Sequence, residues 1–191
     1  GSKREDWIQA RESELLPVPY FHVVFTLPDS INSLAIHQPK LVYDTLFEAT
    51  WETLQKFGKA KAIQMGMIAV LHTWGQNLSL HPHLHCIVPG GGVDKNGVWQ
   101  NIRSDGNFLF PVKALSKIFR AKFCEKLKEK EPIKYKQIRQ GLWQKPWVVF
   151  AKKPFGSPKS VVEYLGRYTH KIAISSHRIK NVDAQNLTFD Y

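Results

Sequence analysis

The chain has 191 residues, 43% of them hydrophobic and 12% aromatic, with 27 Lys and Arg against 16 Asp and Glu for a formal net charge of +11. That apolar content supports a full core and excludes a mainly disordered chain, and no apolar run reaches the roughly 18–20 residues of a membrane span. Two cysteines, Cys86 and Cys124, with no Cys-x-x-Cys, exclude a disulfide framework and cannot by themselves make a structural zinc site.

In chain order, Gly1-Ser2 reads as an expression scar and residues 4–13 as a polar lead-in or short helix. No signal peptide opens the chain, so it reads as soluble and intracellular. Tyr20 to Leu27 (YFHVVFTL) is rich in β-branched and aromatic residues and stops at Pro28-Asp29, which predicts a strand. Leu41, Leu46, Phe47, Thr50, Leu54 and Phe57 recur at helical spacing and predict an amphipathic helix over 38–57, ending at Gly58. Residues 64–74 and 80–89 are two strand-like runs joined by a short connector, the pattern of an antiparallel hairpin. A glycine triplet, Gly90-Gly91-Gly92, closes the second run, and a turn-rich stretch with a short strand near 98–102 follows.

A basic amphipathic helix is predicted over 114–130, then a strand over 147–151. Ser157-Pro158 starts a helix well, because Ser caps and Pro is tolerated in the first turn, and this helix should run to about His170. Residues 172–182 and 187–191 form a final hairpin. The order β-α-β-β-α-β-α-β-β predicts an α+β fold, a central antiparallel sheet with helices packed on one face and the second hairpin strand inside the sheet.

The charge is unevenly placed. Between Val112 and Lys180 there are 18 Lys and Arg against 4 Asp and Glu. A solvated basic surface accounts for many Lys-rich helices. The sharper reading is a phosphate track, because neutralising phosphates supplies most non-specific affinity for nucleic acid.

Two constellations carry chemistry. In His81-Pro82-His83-Leu84-His85-Cys86, alternation on a strand puts His81, His83 and His85 on one face and Leu84 and Cys86 in the core. Residues two apart are about 6.7 Å apart along a strand, so two imidazoles can converge on one cation. Three in line splay, and a third ligand must come from elsewhere. Gln76, across the hairpin, is the preferred oxygen donor, with His81 the alternative and His72 in reserve. Two imidazoles plus an amide oxygen suit Mg²⁺ or Mn²⁺ acting on phosphate, whereas three imidazoles suit Zn²⁺. Clustered histidines also serve simply as hydrogen-bonded strand residues.

The second constellation is Tyr164, Tyr168 and Lys171, which share one helical face with Arg167 at its edge; Val161, Leu165 and Ile172 form the adjacent apolar stripe. Tyrosines four apart are most often a packing pair. As nucleophiles they need help, since a phenol's pKa near 10 keeps it protonated at neutral pH. A cation polarising phosphoryl oxygens, with Lys171 and Arg167 offsetting developing charge, would supply that help. The phenols sit at the core margin, where they can face the sheet's histidines.

These residues resemble a known family. His83-Leu84-His85 is similar to the His-hydrophobic-His signature of the HUH single-strand endonucleases, and Tyr164-x-x-x-Tyr168-x-x-Lys171 resembles the motif of their two-tyrosine branch. The phrases LLPVPYFHVVFTLP, VLHTWGQNLSLHPHLHCIVPGGG and YLGRYTHKIAISSHRI resemble rolling-circle insertion-sequence transposases of the insertion sequence ninety-one family, over about Leu15 to Tyr191.

The resemblance implies a nuclease with a five-stranded antiparallel sheet, the ferredoxin-like palm, in which His83 and His85 hold Mg²⁺ or Mn²⁺ and a polar residue at the position of Gln76 completes the site. A tyrosine would attack single-stranded DNA, leaving a 5′-phosphotyrosine and a free 3′-OH, and the second would allow strand transfer. It implies a cytoplasmic, nucleoid-associated bacterial transposase acting on hairpin-bearing transposon ends, with no membrane partner. The resemblance also implies a cysteine-rich N-terminal zinc-binding region, which residues 1–14, without cysteine, are not expected to supply. Residues 1–14 read as tag scar and lead-in, and 15–191 as a single nuclease domain ending inside its last hairpin.

Arg120, Lys122, Lys152, Lys153 and Arg167 are the expected phosphate contacts, with Trp74 or Trp99 stacking unpaired bases. Two rival readings stand beside this one: a non-catalytic module binding DNA hairpins or origins, and a zinc hydrolase using His81, His83 and His85.

Overall fold

Alternation of side chains along two central strands divides the sheet into an apolar face and a polar one. The computed structural model describes residues 3–75, 79–103, 109–152, 155–169, 179–182 and 187–189. Its main sheet contains β1 (Tyr20–Thr26), β3 (Ile68–Trp74), β4 (Leu80–Pro89) and β7 (Val149–Ala151), all antiparallel, in the order β3-β4-β1-β7. The expected α+β class and the interior position of β4 are both observed. The fifth strand implied by the resemblance is not among the described residues of this sheet.

Phe21, Val23 and Phe25 of β1 and Leu84, Cys86 and Val88 of β4 are buried on the apolar face. They pack with α3 (Pro39–Lys59) and α4 (Val112–Lys130) through Leu46, Leu54, Phe119 and Phe123. Phe119 is fully buried, its ring 5.0 Å from that of Phe25 and 5.3 Å from that of Trp147. Phe119→Ala is therefore expected to destabilise the fold by about 3–5 kcal/mol, read as a lower urea midpoint.

The helices are divided between the two faces rather than gathered on one. Helix α6 (Pro158–Thr169) lies on the polar face, where Val161 and Tyr164 pack on Tyr20 and Ile87, and α1 (Lys3–Glu12) packs on α6. The expected start of α6 holds: Ser160 N–H donates to Ser157 Oγ and Ser157 N–H to Ser160 Oγ, each at 3.2 Å, a reciprocal cap with serine in place of the usual glutamate.

Other elements depart from the sequence expectation for physical reasons. The run 64–74 is two strands, because β2 (Gln64–Met65) leaves the main sheet to pair with β5 (Gly91–Val93), which in turn pairs with β6 (Trp99–Asn101). Glycine is required in β5. A Cβ on Gly91 would lie 2.3 Å from the Gln100 carbonyl oxygen, and one on Gly92 would lie 2.3 Å from that of Gln64.

Two helices carry no strong periodic signal. α2 (Asn32–His37) is short, and α5 (Pro132–Gln144) buries Leu142 alone and leaves Ile133 72% exposed. The final hairpin is described only as β8 (Ile179–Val182) paired with β9 (Leu187–Phe189). No described helix is long and apolar enough to cross a membrane.

Candidate metal and tyrosine site

Strand pairing gathers histidines from three strands onto the polar face. His72 of β3 lies directly opposite His83 of β4, and His85 follows two residues later. On β1, Val24 lies opposite His85 and His22 opposite Ile87. Directly opposed residues share a face, so His22, His72, His83 and His85 all project to the same side.

The ligand atoms of His72, His83 and His85 lie within 4.8 Å of one another, and this trio is the one such group among the described residues. A cross-strand neighbour plus an i, i+2 neighbour makes a triangle. Histidines 81, 83 and 85 instead run in line over about 13 Å of strand. The reserve ligand, His72, thus joins the pair. His81 meets His83 through its backbone, accepting a hydrogen bond from His83 Nδ1 at 2.5 Å. That bond puts the His83 proton on Nδ1 and leaves Nε2 as the ligand nitrogen, the usual arrangement for a metal-binding imidazole. Burial lowers the His83 pKa, so the ring is neutral and able to ligate at pH 7. Gln76, the preferred third ligand, lies outside the described residues.

Tyr164 is 9% exposed and reaches down from α6 to the histidines. Its Oη is 2.7 Å from His22 Nε2 and 3.1 Å from His85 Nδ1, and those two nitrogens are 2.9 Å apart. His22 also stacks on His85, with ring centroids 5.2 Å apart and planes at 10°. Phe155 flanks the phenol edge-on at 5.4 Å. Burial, with the Lys152 charge adding, lowers the His22 pKa to about 4, so His22 is neutral at pH 7. With the proton on Nδ1, His22 Nε2 accepts from the Tyr164 hydroxyl while His85 Nδ1–H donates to the phenol oxygen. The nitrogen of His85 left for a metal is then Nε2.

Folding therefore keeps His22 and His83 unprotonated where the unfolded chain, with histidines near pKa 6.5, takes up protons. The metal-free protein is expected to lose stability as pH falls from about 6.5 towards 4, where the His22 contribution levels off. Urea titrations across this range check it, and His22→Phe should flatten the slope.

Other expected site residues fall in several places. Tyr168 and Arg167 lie on α6, their side chains outside the described set, as are Lys153 and Lys171 entirely. Lys152 is exposed just beyond β7, and its N–H donates to the His22 carbonyl at 3.0 Å, so it borders the site. Trp74 borders it too, stacking on His72 at 5.4 Å. Trp99 belongs to the small second sheet.

Arg120 and Lys122 are on α4, behind the apolar face. Lys122 pairs with Glu125 at 2.9 Å and Glu52 at 3.4 Å, and Arg120 lies over the Trp143 ring at 4.5 Å. Lys126 and Lys130 likewise pair with Glu52 and Glu48 of α3. The basic helix spends much of its charge within the fold.

Cys86 and Cys124 are buried free thiols whose pKa burial raises, Cys124 to about 12, so neither offers a thiolate at neutral pH. A cleft of about 360 Å³ opens beside His81, lined in part by Thr26, Asp29, Gln144, Lys145 and Trp147.

His22 escaped the sequence reading. Its signal was one histidine inside an otherwise apolar strand, YFHVVFT, on the same parity as Tyr20, the residue that α6 covers.

Residues 66–191 match the family model Y2_Tnp, described as "Putative transposase", and residues 1–27 match Zn_Tnp_IS91, described as "Transposase zinc-binding domain". The second match ends at Leu27, one residue past β1, so the stretch read from sequence as tag scar and lead-in lies within a match to a zinc-binding domain, although these residues contain no cysteine. "Putative transposase y4qJ" of Sinorhizobium fredii (strain NBRC 101917 / NGR234) is 42% identical, over 94% of this chain and 50% of that protein. "Transposase for insertion sequence element IS801" of Pseudomonas savastanoi pv. phaseolicola is 29% identical, over 100% of this chain and 49% of that protein. The chain thus spans about half the length of the curated relatives it matches. A solved structure of the conjugative relaxase TrwC in complex with oriT DNA, metal-bound, is similar at 14% identity with a TM-score of 0.43, over 59% of this chain and 44% of that one.

Proposed function

The chain belongs to the Y2_Tnp transposase family, and from that membership we propose that it is the nuclease part of a rolling-circle transposase, nicking single-stranded DNA and transferring the strand through a 5′-phosphotyrosine. The observation that carries the reading is the contact between Tyr164 and His85, which joins a candidate nucleophile to a ligand-competent histidine trio.

The donor set fits a divalent cation: three imidazoles, close enough to share one ion, on paired strands. His72, His83 and His85 would hold it. When bound, it would polarise the scissile phosphoryl group and stabilise the charge that develops there. An all-imidazole set suits Mn²⁺ and the later divalent metals better than Mg²⁺, which prefers oxygen ligands.

The chain's own residues do the rest. Tyr164 is presented at the sheet surface by the buried packing of Val161, and Tyr168 follows one helical turn later. In cleavage the phenol oxygen attacks phosphorus and loses its proton, the DNA 3′-oxygen leaves and is protonated to the free 3′-OH, and the tyrosine keeps the 5′-phosphate; in transfer a DNA 3′-OH attacks that phosphorus and the phenol leaves, regaining a proton. A second tyrosine can then accept another strand while the first holds its end.

Lys152 lies where the DNA backbone would pass, and the cleft beside His81 would take a flanking nucleotide, its apolar wall of Trp147 and Val148 facing a base. Hairpin-bearing transposon ends are the substrate this reading expects.

The test is incubation with a single-stranded oligonucleotide from a transposon end and Mn²⁺ or Mg²⁺, followed by denaturing electrophoresis. A covalent adduct that a chelator abolishes is expected. Mn²⁺ should support it at lower concentration than Mg²⁺. Salt-sensitive DNA binding with no adduct under either metal would instead support the non-catalytic module.

A further inference from the structure

We propose that His22 is a positioning residue that fixes the Tyr164 phenol against the ligand histidine His85, so that cleavage by Tyr164 depends on it and cleavage by Tyr168 does not. The inference rests on the two-tyrosine reading above and adds a residue from β1, 142 positions away in sequence from the phenol it holds.

Three observations converge on it. His22 Nε2 reaches both partners, at 2.7 Å from Tyr164 Oη and 2.9 Å from His85 Nδ1, so one imidazole spans the helix-to-sheet junction. Its ring lies nearly parallel to that of His85 and is buried to 4% exposure, which removes rotational freedom from both rings. Its Nδ1 is buried with no hydrogen-bond partner among the described residues. A buried, unsatisfied donor is destabilising, so a histidine placed purely for packing would be replaced by an apolar ring at no loss. The Nε2 contact with the phenol gives the buried imidazole a role that an apolar ring would lack.

The geometry also explains why an acceptor is needed there. With the His85 proton on Nδ1, that N–H donates to the phenol oxygen, the hydroxyl proton points elsewhere, and His22 Nε2 is an acceptor within reach at 2.7 Å. Take that acceptor away and the hydroxyl loses its 2.7 Å contact, so the phenol oxygen is held less tightly against His85. A displacement of about 1 Å at a reacting atom can lower a rate by about 100-fold.

The experiment separates the two tyrosines. His22→Phe, which keeps a buried ring but neither nitrogen, is placed in a Tyr168→Phe background, where Tyr164 alone can attack, and in a Tyr164→Phe background, where Tyr168 alone can. Adduct formation is measured in single turnover with saturating metal and oligonucleotide. The expected result is a loss of at least about tenfold in the first background and less than about twofold in the second, with His22→Gln, which restores an acceptor, recovering most of the rate. Equal losses in both backgrounds would overturn the proposal and make His22 structural.

A second readout needs no activity. In the metal-free protein labelled with ¹³Cζ-tyrosine, the Tyr164 resonance should shift in His22→Phe and return in His22→Gln; an unmoved resonance overturns the proposal. If neither tyrosine background forms an adduct while the resonance moves as expected, the two-tyrosine reading fails and the His22 contact stands.

Discussion

Replacing both α6 tyrosines, Tyr164→Phe with Tyr168→Phe, is expected to remove the covalent DNA adduct, a loss of at least about 1,000-fold relative to the unaltered protein. The size follows from chemistry. With both phenols gone, no tyrosine of α6 is left to take up the 5′-phosphate, and water attack would leave no protein-bound strand. Phenylalanine keeps the ring that packs with Val161, Tyr20 and Ile87, so the fold should survive. Losing the Tyr164 hydrogen bonds removes about 1 kcal/mol each, offset in part by not burying a hydroxyl. A melting curve and an unchanged DNA affinity verify that the variant is folded and binds. Each single replacement should keep part of the activity; a double variant that still forms the adduct would place the nucleophile elsewhere.

His85→Ala carries the second large effect, because His85 serves both halves of the site. Its loss removes one of three ligand imidazoles and the N–H that meets the Tyr164 oxygen. Affinity for Mn²⁺, measured calorimetrically, should fall by at least about 100-fold, and adduct formation should become undetectable. His72→Ala should weaken metal binding comparably while leaving the Tyr164 contacts intact, which makes it the control that separates the two roles. His81→Ala should change metal affinity little, since the group that bonds His83 Nδ1 is the His81 carbonyl, which alanine keeps, and the His81 ring lies outside the ligand trio, 5.3 Å from that of His83. A large loss there would restore the in-line set.

What the sequence disclosed depended on how local the signal was. Alternation along 80–89 predicted a strand with His83 and His85 on one face and Leu84 and Cys86 in the core, and that is how β4 is built. A two-residue signal, Ser157 before Pro158, located the start of α6. The third histidine was harder. His72 faces His83 through a pairing register that depends on the whole hairpin, and the sequence alone left Gln76, His81 and His72 in competition.

His22 was harder still, because its partners come from 63 and 142 residues away and nothing in YFHVVFT distinguishes a network histidine from a packed one. Charge was hard to place from the sequence. The Lys-rich stretch over α4 reads as a phosphate track, yet Lys122, Lys126 and Lys130 turn to Glu48 and Glu52 across the α3–α4 interface, on the far side of the sheet from the histidines. Exposed pairs of this kind add little stability, but they do reduce the net field that α4 presents to DNA. Lys152, beside the site, is the better surviving candidate.

Peptide mapping of the adduct tests the joined site most directly. Trypsin cuts after Lys159, Arg167 and Lys171, which puts Tyr164 and Tyr168 on separate peptides, 160–167 and 168–171. Mass spectrometry of the digested adduct should find the nucleotide's 5′-phosphate on one or both of these peptides, and only when a divalent metal was present. A phosphonucleotide on any other peptide, or an adduct that forms equally well in excess chelator, would contradict the account.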